Sequence, residues 1–447
     1  MATAHDTTPD PREPGLVARL HRELGLAAGR SDSSCHPAVP LSSSLAVGEL
    51  AWASVLVAGA TLSATSAAPP DPARIAAAFR SDRHLRIDGA TPQSWAPLSR
   101  FWRTADGWIR THGNYPHHAH ALLDGLRLDR DADPGSVEAA LSGMRAADAV
   151  DAITVAGGIG VSVRKERDAV DAELRRRPLV DLTRLAVSSS RALPHGGSPL
   201  ALTGVRVLDL TRVIAGPVAT RTLALAGADV LRIDPPDRAE PAWQHLDTGH
   251  GKRSALLDVS ADRARFDALL ADADVLVLGY RPQGLRRLGL TASALASRHP
   301  HLVIGQLSAW PGDDSPRGFD SIVQAECGIS WLESADGVVP GALPAQALDH
   351  SAGYLLAAGI VTALRRRAES GGAWHVRTSL RRMAAELLGL PRSSPGAAPA
   401  PLDEQAQTQT FAVAGRTVTT VVPAVRWPGS PELFASPRPW GTDPPEW

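Results

Sequence analysis

Cysteine is scarce in this chain of 447 residues, in which only Cys35 and Cys327 occur. Two cysteines cannot build a disulfide framework, and no Cys/His spacing matches a structural zinc site. Such cysteine usage is typical of the reducing cytosol, so we expect a cytoplasmic protein. The histidines at 112, 117, 118 and 120 are irregularly spaced and have no evident carboxylate partner, so we expect no metal site there.

Neither sign of charge is in excess, because 46 Lys and Arg oppose 47 Asp and Glu and the net charge is −1. This balance gives no general attraction to nucleic acid or to an anionic membrane. Residues 1–15 lack the basic start and apolar run of a secretory signal. The longest apolar run, 45–68, is interrupted by glycine and polar residues, which favours a buried helix over a membrane span. We therefore expect neither nucleic acid nor membrane as a partner.

A dinucleotide-binding fingerprint is missing where the sequence pattern would place one. Residues 201–236 predict a strand at 205–210, a turn of small residues, a helix at 218–226 and a strand at 229–233. The turn, VIAGPVATR, has one glycine followed by proline instead of G-x-G-x-x-G. We therefore do not expect NAD(P) or FAD as a cofactor.

The alternation of strands and helices continues regularly after this unit. Further strands are expected at 255–258, 274–278 and 302–308, and further helices at 261–272, 283–288 and 291–299. The strands are short apolar blocks, which is the pattern of a parallel sheet covered on both faces. We predict an α/β fold with an open, doubly wound, Rossmann-like large domain and a smaller α+β domain.

Composition predicts the domain boundaries. Stretches rich in Ser, Pro and Gly without apolar periodicity indicate linkers. The expected parts are a poorly ordered tail at 1–44, the small α+β domain at 45–185, a linker at 186–200, the large domain at 201–390, and a linker, hairpin and tail at 391–447.

Four ordered blocks of the large domain carry a family resemblance. They are LTGVRVLDLTRVIAGPVATRTLALAGADVLRIDPP, TGHGKRSALLDV, ADVLVLGYRPQGLRRLGL and PRGFDSIVQAECGIS. Together they resemble the family III CoA-transferases, a group that includes formyl-CoA transferase, carnitine CoA-transferase and α-methylacyl-CoA racemase. The segment RFWRTADGWIRTHGNYPHHAHALL resembles the small domain that usually follows the large one in this family, so the domain order looks permuted.

The resemblance implies that Asp349 is a nucleophile, because ALDHSAGYLLAAG fits the family's D-x-x-x-G pattern before a long helix. A carboxylate at a helix start accepts backbone N–H bonds, so we expect it to stay ionised and able to attack. A simple helix cap is the structural alternative. The implied reaction moves CoA between an acyl-CoA and a carboxylic acid through a mixed anhydride and an aspartyl-CoA thioester. It needs no permanently bound cofactor, since CoA is a substrate.

Matching of the family blocks also implies which residues bind CoA, whose phosphates call for cationic partners. The candidates are Val213, Ile214, Ala215, Arg232, Lys252, Arg253 and Arg281. Donors for the developing oxyanions are expected from the glycine loops 156–160 or 195–199. Family members are interlocked dimers, so the resemblance also implies a homodimer.

Two alternatives to the transferase stay open at this stage. The family's racemases have G-H-D where this chain has Gly318-Phe319-Asp320, and phenylalanine cannot carry a proton. His350 could supply an imidazole, but adjacent residues at a helix start point in different directions. The second alternative is a relative that binds acyl-CoA without catalysis. The sequence does not identify the donor or acceptor acids.

Overall fold

A computed structural model of the protein describes residues 15–26, 38–63, 69–194, 200–312, 316–392, 403 and 405–447. The described helices are α1 (Leu16–Leu24), α2 (Val47–Leu62), α3 (Pro72–Phe79), α4 (Ser81–His84), α5 (Pro116–Gly125), α6 (Pro134–Ser142), α7 (Ala146–Val155), α8 (Asp168–Arg175), α9 (Ala215–Leu225), α10 (Ala242–Thr248), α11 (Arg263–Asp272), α12 (Pro282–Arg287), α13 (Ala292–Arg298), α14 (Asp320–Cys327), α15 (Ile329–Leu332), α16 (Ala347–Ser370) and α17 (Leu380–Gly389). The described strands are β1 (Arg86–Ile87), β2 (Phe101–Arg103), β3 (Trp108–Thr111), β4 (Gly160–Ser162), β5 (Asp181–Arg184), β6 (Arg206–Leu210), β7 (Asp229–Asp234), β8 (Lys252–Leu256), β9 (Val275–Leu278), β10 (Val303–Ser308), β11 (Trp374–Ser379), β12 (Thr408–Val413) and β13 (Arg416–Val421).

The large sheet has seven strands in the order β5-β11-β10-β9-β6-β7-β8. All neighbours are parallel except the edge strand β5, which runs antiparallel to β11. From β6 the chain builds the sheet outward through β7 and β8, and then returns to the other side of β6 with β9. This reversal is the topological switch point, where open α/β sheets bind their ligands at the carboxyl ends of the strands. The predicted doubly wound α/β fold is confirmed.

Apolar cores cover both faces of this sheet. One core contains α9 and α16, and the other packs α11, α12 and α13 against β6, β7 and β9. Every residue of β9 is buried, as expected for a strand covered on both sides. The helix α16 has the length and apolarity of a membrane span, but its apolar segment is buried in the first core.

The two small sheets lie outside this layered region. The β2–β3 hairpin extends into a three-stranded sheet with β4, and helices α5 to α7 pack on it around Trp102, Leu122 and Ile153. The other sheet joins β1 to the C-terminal hairpin of β12 and β13. Segments far apart in the chain therefore meet in one small sheet.

Residues 45–63 belong to the large core, whereas we expected them in the small domain. The helix α2 within this range is buried on nearly all sides and packs along α16. A helix that is apolar all round requires cover on every side, and the large core supplies that cover. The strand β5, also expected in the small domain, forms the edge of the large sheet. The helix α1, which falls within the expected tail, packs on the same large core.

Candidate active site

A cavity of about 290 Å³ lies at the switch point of the large sheet. The segments that follow β6 and β9 form one side of it, and the loop after β7, residues of the small domain and the segment before α14 form the rest. Its wall includes Arg212, Arg238, Arg281 and Arg317 and, among the described residues, no carboxylate. We refer to it as the arginine cavity. Its charge suits a phosphate-bearing ligand.

The arginines shape the electrostatics of this cavity. Burial and then the neighbouring His117 and arginines lower the pKa of His118 to about 3, so its imidazole is neutral. Arg212 is held by Asp234 at 2.9 Å, and Arg317 donates to the Gly157 carbonyl at 2.6 Å. In the described part of the chain no carboxylate pairs with Arg281, which leaves its guanidinium free for a ligand anion.

A second cavity of about 40 Å³ adjoins the first and shares Val213 and Phe319 with it. Its wall contains the carboxyl groups of Asp82, Asp320 and Asp349, with no lysine or arginine among the residues that the structure describes. We call it the carboxylate cavity. The site thus joins a cationic compartment to a smaller acidic one.

The turn after β6 forms the boundary between the two compartments. Val213 has a φ of 70°, a left-handed conformation that is strained for a β-branched residue. Val213 lines both cavities, whereas Ile214 lines the carboxylate cavity and not the arginine cavity. Ala215, expected to contact CoA, is instead buried where α9 packs against α16.

A close helix contact positions Asp349. Asp349 is in the first turn of α16, and Gly353 follows one turn later on the same face. A Cβ atom at position 353 would lie 2.5 Å from the Ala215 carbonyl oxygen and 2.9 Å from the Val218 Cβ. Only glycine allows α16 to approach the start of α9 this closely. The D-x-x-x-G spacing therefore has a structural cause.

Asp349 and Asp320 form a buried carboxyl pair. Asp320 accepts the backbone N–H of Asp349 at 3.0 Å and the side-chain amide of Gln324 at 2.5 Å. Burial raises the pKa of Asp320 to about 6. Burial and then repulsion by Asp320 raise the pKa of Asp349 well above its usual range. Two carboxyl groups this close titrate as a pair, and one of them holds a proton more tightly than an isolated acid.

This arrangement corrects the expected state of Asp349. We expected its carboxylate to accept helix N–H bonds and to stay ionised, but Asp320 accepts the N–H from the first turn of α16. Nor is Asp349 the helix cap, since Gln346 holds that position. The environment of the free protein therefore favours the protonated form of Asp349.

A pH dependence follows from this pair. If the ionised form of Asp349 reacts, turnover falls as the pH drops through its raised pKa. Asp320→Asn removes the repelling charge and retains an oxygen for the N–H of residue 349, so we expect the acid limb of the rate profile to move to lower pH. Rates measured across the acid range check this expectation. An unmoved limb, or one displaced to higher pH, would contradict the coupling.

Arg232, Lys252 and Arg253 lie in the wall of neither cavity, contrary to the sequence-based expectation. Arg232 is fully buried and pairs with Asp234 and Glu240, each at 2.7 Å. Arg253 lies near the amino end of β8, away from the ligand edge of the sheet, and its guanidinium binds Asp229 through two nitrogens. These cations have internal partners.

Lys252 is likewise occupied inside the protein. Its Nζ donates to the Asp209 carboxylate at 3.2 Å and to the Pro217 carbonyl at 2.9 Å. Burial lowers the pKa of Lys252 to about 8, although Asp209 opposes the shift. The ammonium group therefore ties β8 to β6 and to the start of α9.

The glycine loop 156–160 does not supply free donors to Asp349. The N–H groups of Gly157 and Gly158 bond the carbonyls of Thr154 and Ile153 and so end α7. Of this loop, only Ile159 contacts the arginine cavity. The other expected donor loop, 195–199, lies outside the described residues.

Sequence reasoning missed several residues of the site. Arg212 directly precedes the turn and Arg317 directly precedes Gly318-Phe319-Asp320, so adjacency to these motifs was the available signal. No sequence signal placed His112 in the site, because it belongs to the small domain. Burial lowers the pKa of His112 to about 3, and its ring stacks on Phe319 at 3.7 Å in the wall of the carboxylate cavity. His350 instead stacks on Phe79.

Residues 202–413 match the model of CoA-transferase family III. A probable fatty acyl-CoA transferase of Mycobacterium tuberculosis, Rv3272, is 32% identical over 197 residues, which are 40% of this chain and 50% of the relative. Acetyl-coenzyme A transferase nodX of Hypoxylon pulicicidum is 37% identical, with 40% of this chain and 32% of the relative covered. A formyl-CoA:oxalate CoA-transferase of Rhodopseudomonas palustris (strain TIE-1) is 31% identical, with 38% of this chain and 44% of the relative covered.

The crystal structure of Rv3272 aligns with a TM-score of 0.39 and 33% identity, covering 42% of this chain and 55% of that one. The chain thus spans about half or less of the length of these curated relatives. The predicted family resemblance is confirmed for residues 202–413, which match the model of CoA-transferase family III.

Proposed function

We propose that the protein transfers CoA from an acyl-CoA to a carboxylic acid, with Asp349 as the covalent nucleophile. The proposal rests on one observation, that the arginine cavity and the carboxylate cavity adjoin. The Asp349 carboxyl lines a small cavity that shares Val213 and Phe319 with a larger cavity lined by four arginines. The phosphates of CoA suit the arginine cavity, and the thioester then lies toward Asp349.

Each bond change in the proposed cycle is an acyl transfer. An oxygen of the ionised Asp349 carboxylate, formed by loss of its proton to solvent, attacks the thioester carbonyl, the C–S bond breaks, and CoA leaves as thiolate. The thiolate attacks the Asp349 carbonyl of the mixed anhydride and releases the donor acid, which leaves an aspartyl-CoA thioester. The acceptor carboxylate attacks this thioester, and the freed thiolate then attacks the acceptor carbonyl. The Asp349 carboxylate is restored and no ATP is consumed.

Chemical trapping tests this proposal and separates it from acyl-CoA binding without catalysis. The protein is incubated with propionyl-CoA, treated with hydroxylamine and digested for peptide mass spectrometry. We expect a hydroxamate at Asp349, since hydroxylamine intercepts both the anhydride and the thioester. An unmodified Asp349 peptide under turnover conditions would contradict the proposal and favour the binding role.

Removal of the Arg281 guanidinium tests the placement of CoA. We expect Arg281→Ala to raise the KM for acyl-CoA about tenfold, because the free energy of one hydrogen bond to a charged group corresponds to about that factor in affinity. Arg253→Ala is the matched control, because Arg253 lies in neither cavity, and it should leave KM within about twofold. Steady-state kinetics with both variants provide the measurement. An equal increase in KM in both variants, or an increase only in Arg253→Ala, would contradict the placement of CoA.

His112 supports a second candidate function, proton exchange at the carbon beside the thioester. Its neutral imidazole and the Asp349 carboxyl line one cavity, so a proton acceptor and a proton donor are both present. Incubation of a 2-methylacyl-CoA in D₂O distinguishes the candidates. The transferase proposal predicts no deuterium at that carbon, whereas incorporation lost in His112→Gln would favour the second candidate.

The permuted domain order, the homodimer and the cytoplasmic location remain predictions. They rest on the family resemblance and on cysteine usage. Light scattering of the full chain tests the dimer, and the mass of a single chain would contradict it.

A further inference from the structure

The carboxylate cavity presents polar atoms that lack hydrogen-bond partners. Gln244 Oε1, Ser321 Oγ and His112 Nδ1 are buried and receive no hydrogen bond from any described residue. All three residues line this cavity, and each is no more than 5% exposed. Buried polar groups are normally paired, because an unpaired one loses its hydration without compensation. Such a wall is suited to a ligand that carries hydrogen-bonding groups.

The size and charge of the carboxylate cavity limit which ligands it can hold. A cavity of about 40 Å³ has room for a few heavy atoms and not for a long alkyl chain. The carboxyl groups of Asp82 and Asp320 lie in its wall beside Asp349, and no described lysine or arginine faces them there. A second carboxylate on the substrate would meet repulsion with no cation to offset it. Dicarboxylic and long-chain acids are therefore disfavoured.

The remaining walls are compatible with a short carbon skeleton. Trp95 and Trp243 add apolar surface, and Ile214 closes the side toward the turn after β6. Polar and apolar groups thus both contact a molecule held at Asp349. An acyl group with one hydroxyl near its carbonyl satisfies this combination, because the hydroxyl donates to an acceptor and its carbons meet the indole rings.

We propose that the acyl group activated at Asp349 is short, uncharged and hydroxyl-bearing, and that Gln244 and Ser321 recognise its hydroxyl. Gln244 Oε1 accepts the hydroxyl hydrogen, and the Ser321 hydroxyl donates to the hydroxyl oxygen. This inference rests on the proposed transferase function and adds the substrate class. Gln244 belongs to α10 and Ser321 to α14, so two separate elements determine the selectivity.

Four CoA esters test the substrate class in the full-length protein: 3-hydroxypropionyl-CoA, propionyl-CoA, malonyl-CoA and octanoyl-CoA. We expect kcat/KM for the hydroxypropionyl ester to exceed that for propionyl at least tenfold, because a site built for a hydroxyl penalises an analogue without it. The malonyl and octanoyl esters should be poorer than propionyl. A preference for malonyl or octanoyl, or equal rates with and without the hydroxyl, would overturn the inference.

Variants assign the preference to the named residues. Gln244→Leu removes the amide at similar size, and we expect the hydroxypropionyl-to-propionyl ratio to fall close to one. The control is Gln283→Leu, an exposed change on α12 outside both cavities, which should keep the wild-type ratio. A ratio that survives Gln244→Leu and Ser321→Ala would overturn the assignment.

Calorimetry with the free acids separates this inference from the proposed function. If no ester is turned over but 3-hydroxypropionate binds more tightly than propionate in a Gln244-dependent way, the pocket inference stands and the transferase proposal fails. If esters are exchanged and Asp349 is trapped without hydroxyl preference, the transferase stands and the pocket inference fails.

Discussion

Asp349→Asn is expected to abolish CoA exchange while leaving CoA binding intact. The amide cannot form the mixed anhydride, so exchange should fall by about three orders of magnitude or more. Asp349 does not line the arginine cavity, so the affinity for free CoA should change by less than about twofold. Exchange assays and calorimetric titration with CoA measure the two effects separately.

Folding provides an internal check on this variant. Burial and Asp320 raise the pKa of Asp349 well above its usual range, so the native site favours a neutral group there. Asparagine is neutral and of similar shape, and we expect Asp349→Asn to unfold at a temperature equal to or above that of the wild type. The exposed change Asp131→Asn controls for general effects of the substitution. Near-normal exchange in Asp349→Asn, or loss of folding, would contradict the nucleophile assignment.

Lys252→Met is expected to destabilise the protein without weakening CoA binding. The substitution removes the ammonium group that bonds Asp209 and the Pro217 carbonyl and leaves that carboxylate buried. Breaking one side of a buried ion pair costs about 3–5 kcal/mol of unfolding free energy. Urea unfolding gives the stability, and CoA titration below the unfolding transition gives the affinity.

Arg253→Met is the matched control for Lys252→Met. Both cations were expected to bind CoA, and they are adjacent at the start of β8, but the Arg253 pair with Asp229 is partly exposed. Partly exposed pairs contribute about 1 kcal/mol or less. Stability similar to wild type in Lys252→Met, together with weakened CoA binding, would restore the ligand role and contradict the structural one.

Five strands of the large sheet, β6 to β10, could be predicted from the sequence because their signals are local: each is recognisable as a short segment between helices with their own periodicity. The other two strands, β5 and β11, were not predicted as part of this sheet, because their place in it depends on pairing between segments far apart in the chain. The Asp349–Gly353 spacing is another local signal, and its cause is the contact of Gly353 with Ala215. Arg281 lies at the ligand edge of the sheet, as its position shortly after β9 predicted, and its role in CoA binding stays a prediction.

The features of the site that the sequence did not predict depend on contacts between segments far apart in the chain. Arg232 and Lys252 have the charge expected of ligand residues, but Glu240 and Asp209, which neutralise them, are identifiable only once the strands are paired. The contact of the Asp349 N–H with Asp320 likewise depends on packing, and burial together with repulsion by Asp320 raises the pKa of Asp349, where the sequence predicted an ionised carboxylate. The position of His112 against Phe319 requires the small domain to be folded against α14.

Transfer of oxygen from the acceptor acid tests the central claim most directly. In the proposed cycle the acceptor carboxylate leaves one of its oxygens on Asp349 each time the aspartyl carboxylate is regenerated. Turnover with an acceptor labelled with oxygen-18 in both carboxylate oxygens, followed by peptide mass spectrometry, should therefore place the heavy isotope in the Asp349 peptide and also in the released donor acid. Turnover that leaves the Asp349 peptide unlabelled would contradict a covalent role for this carboxylate.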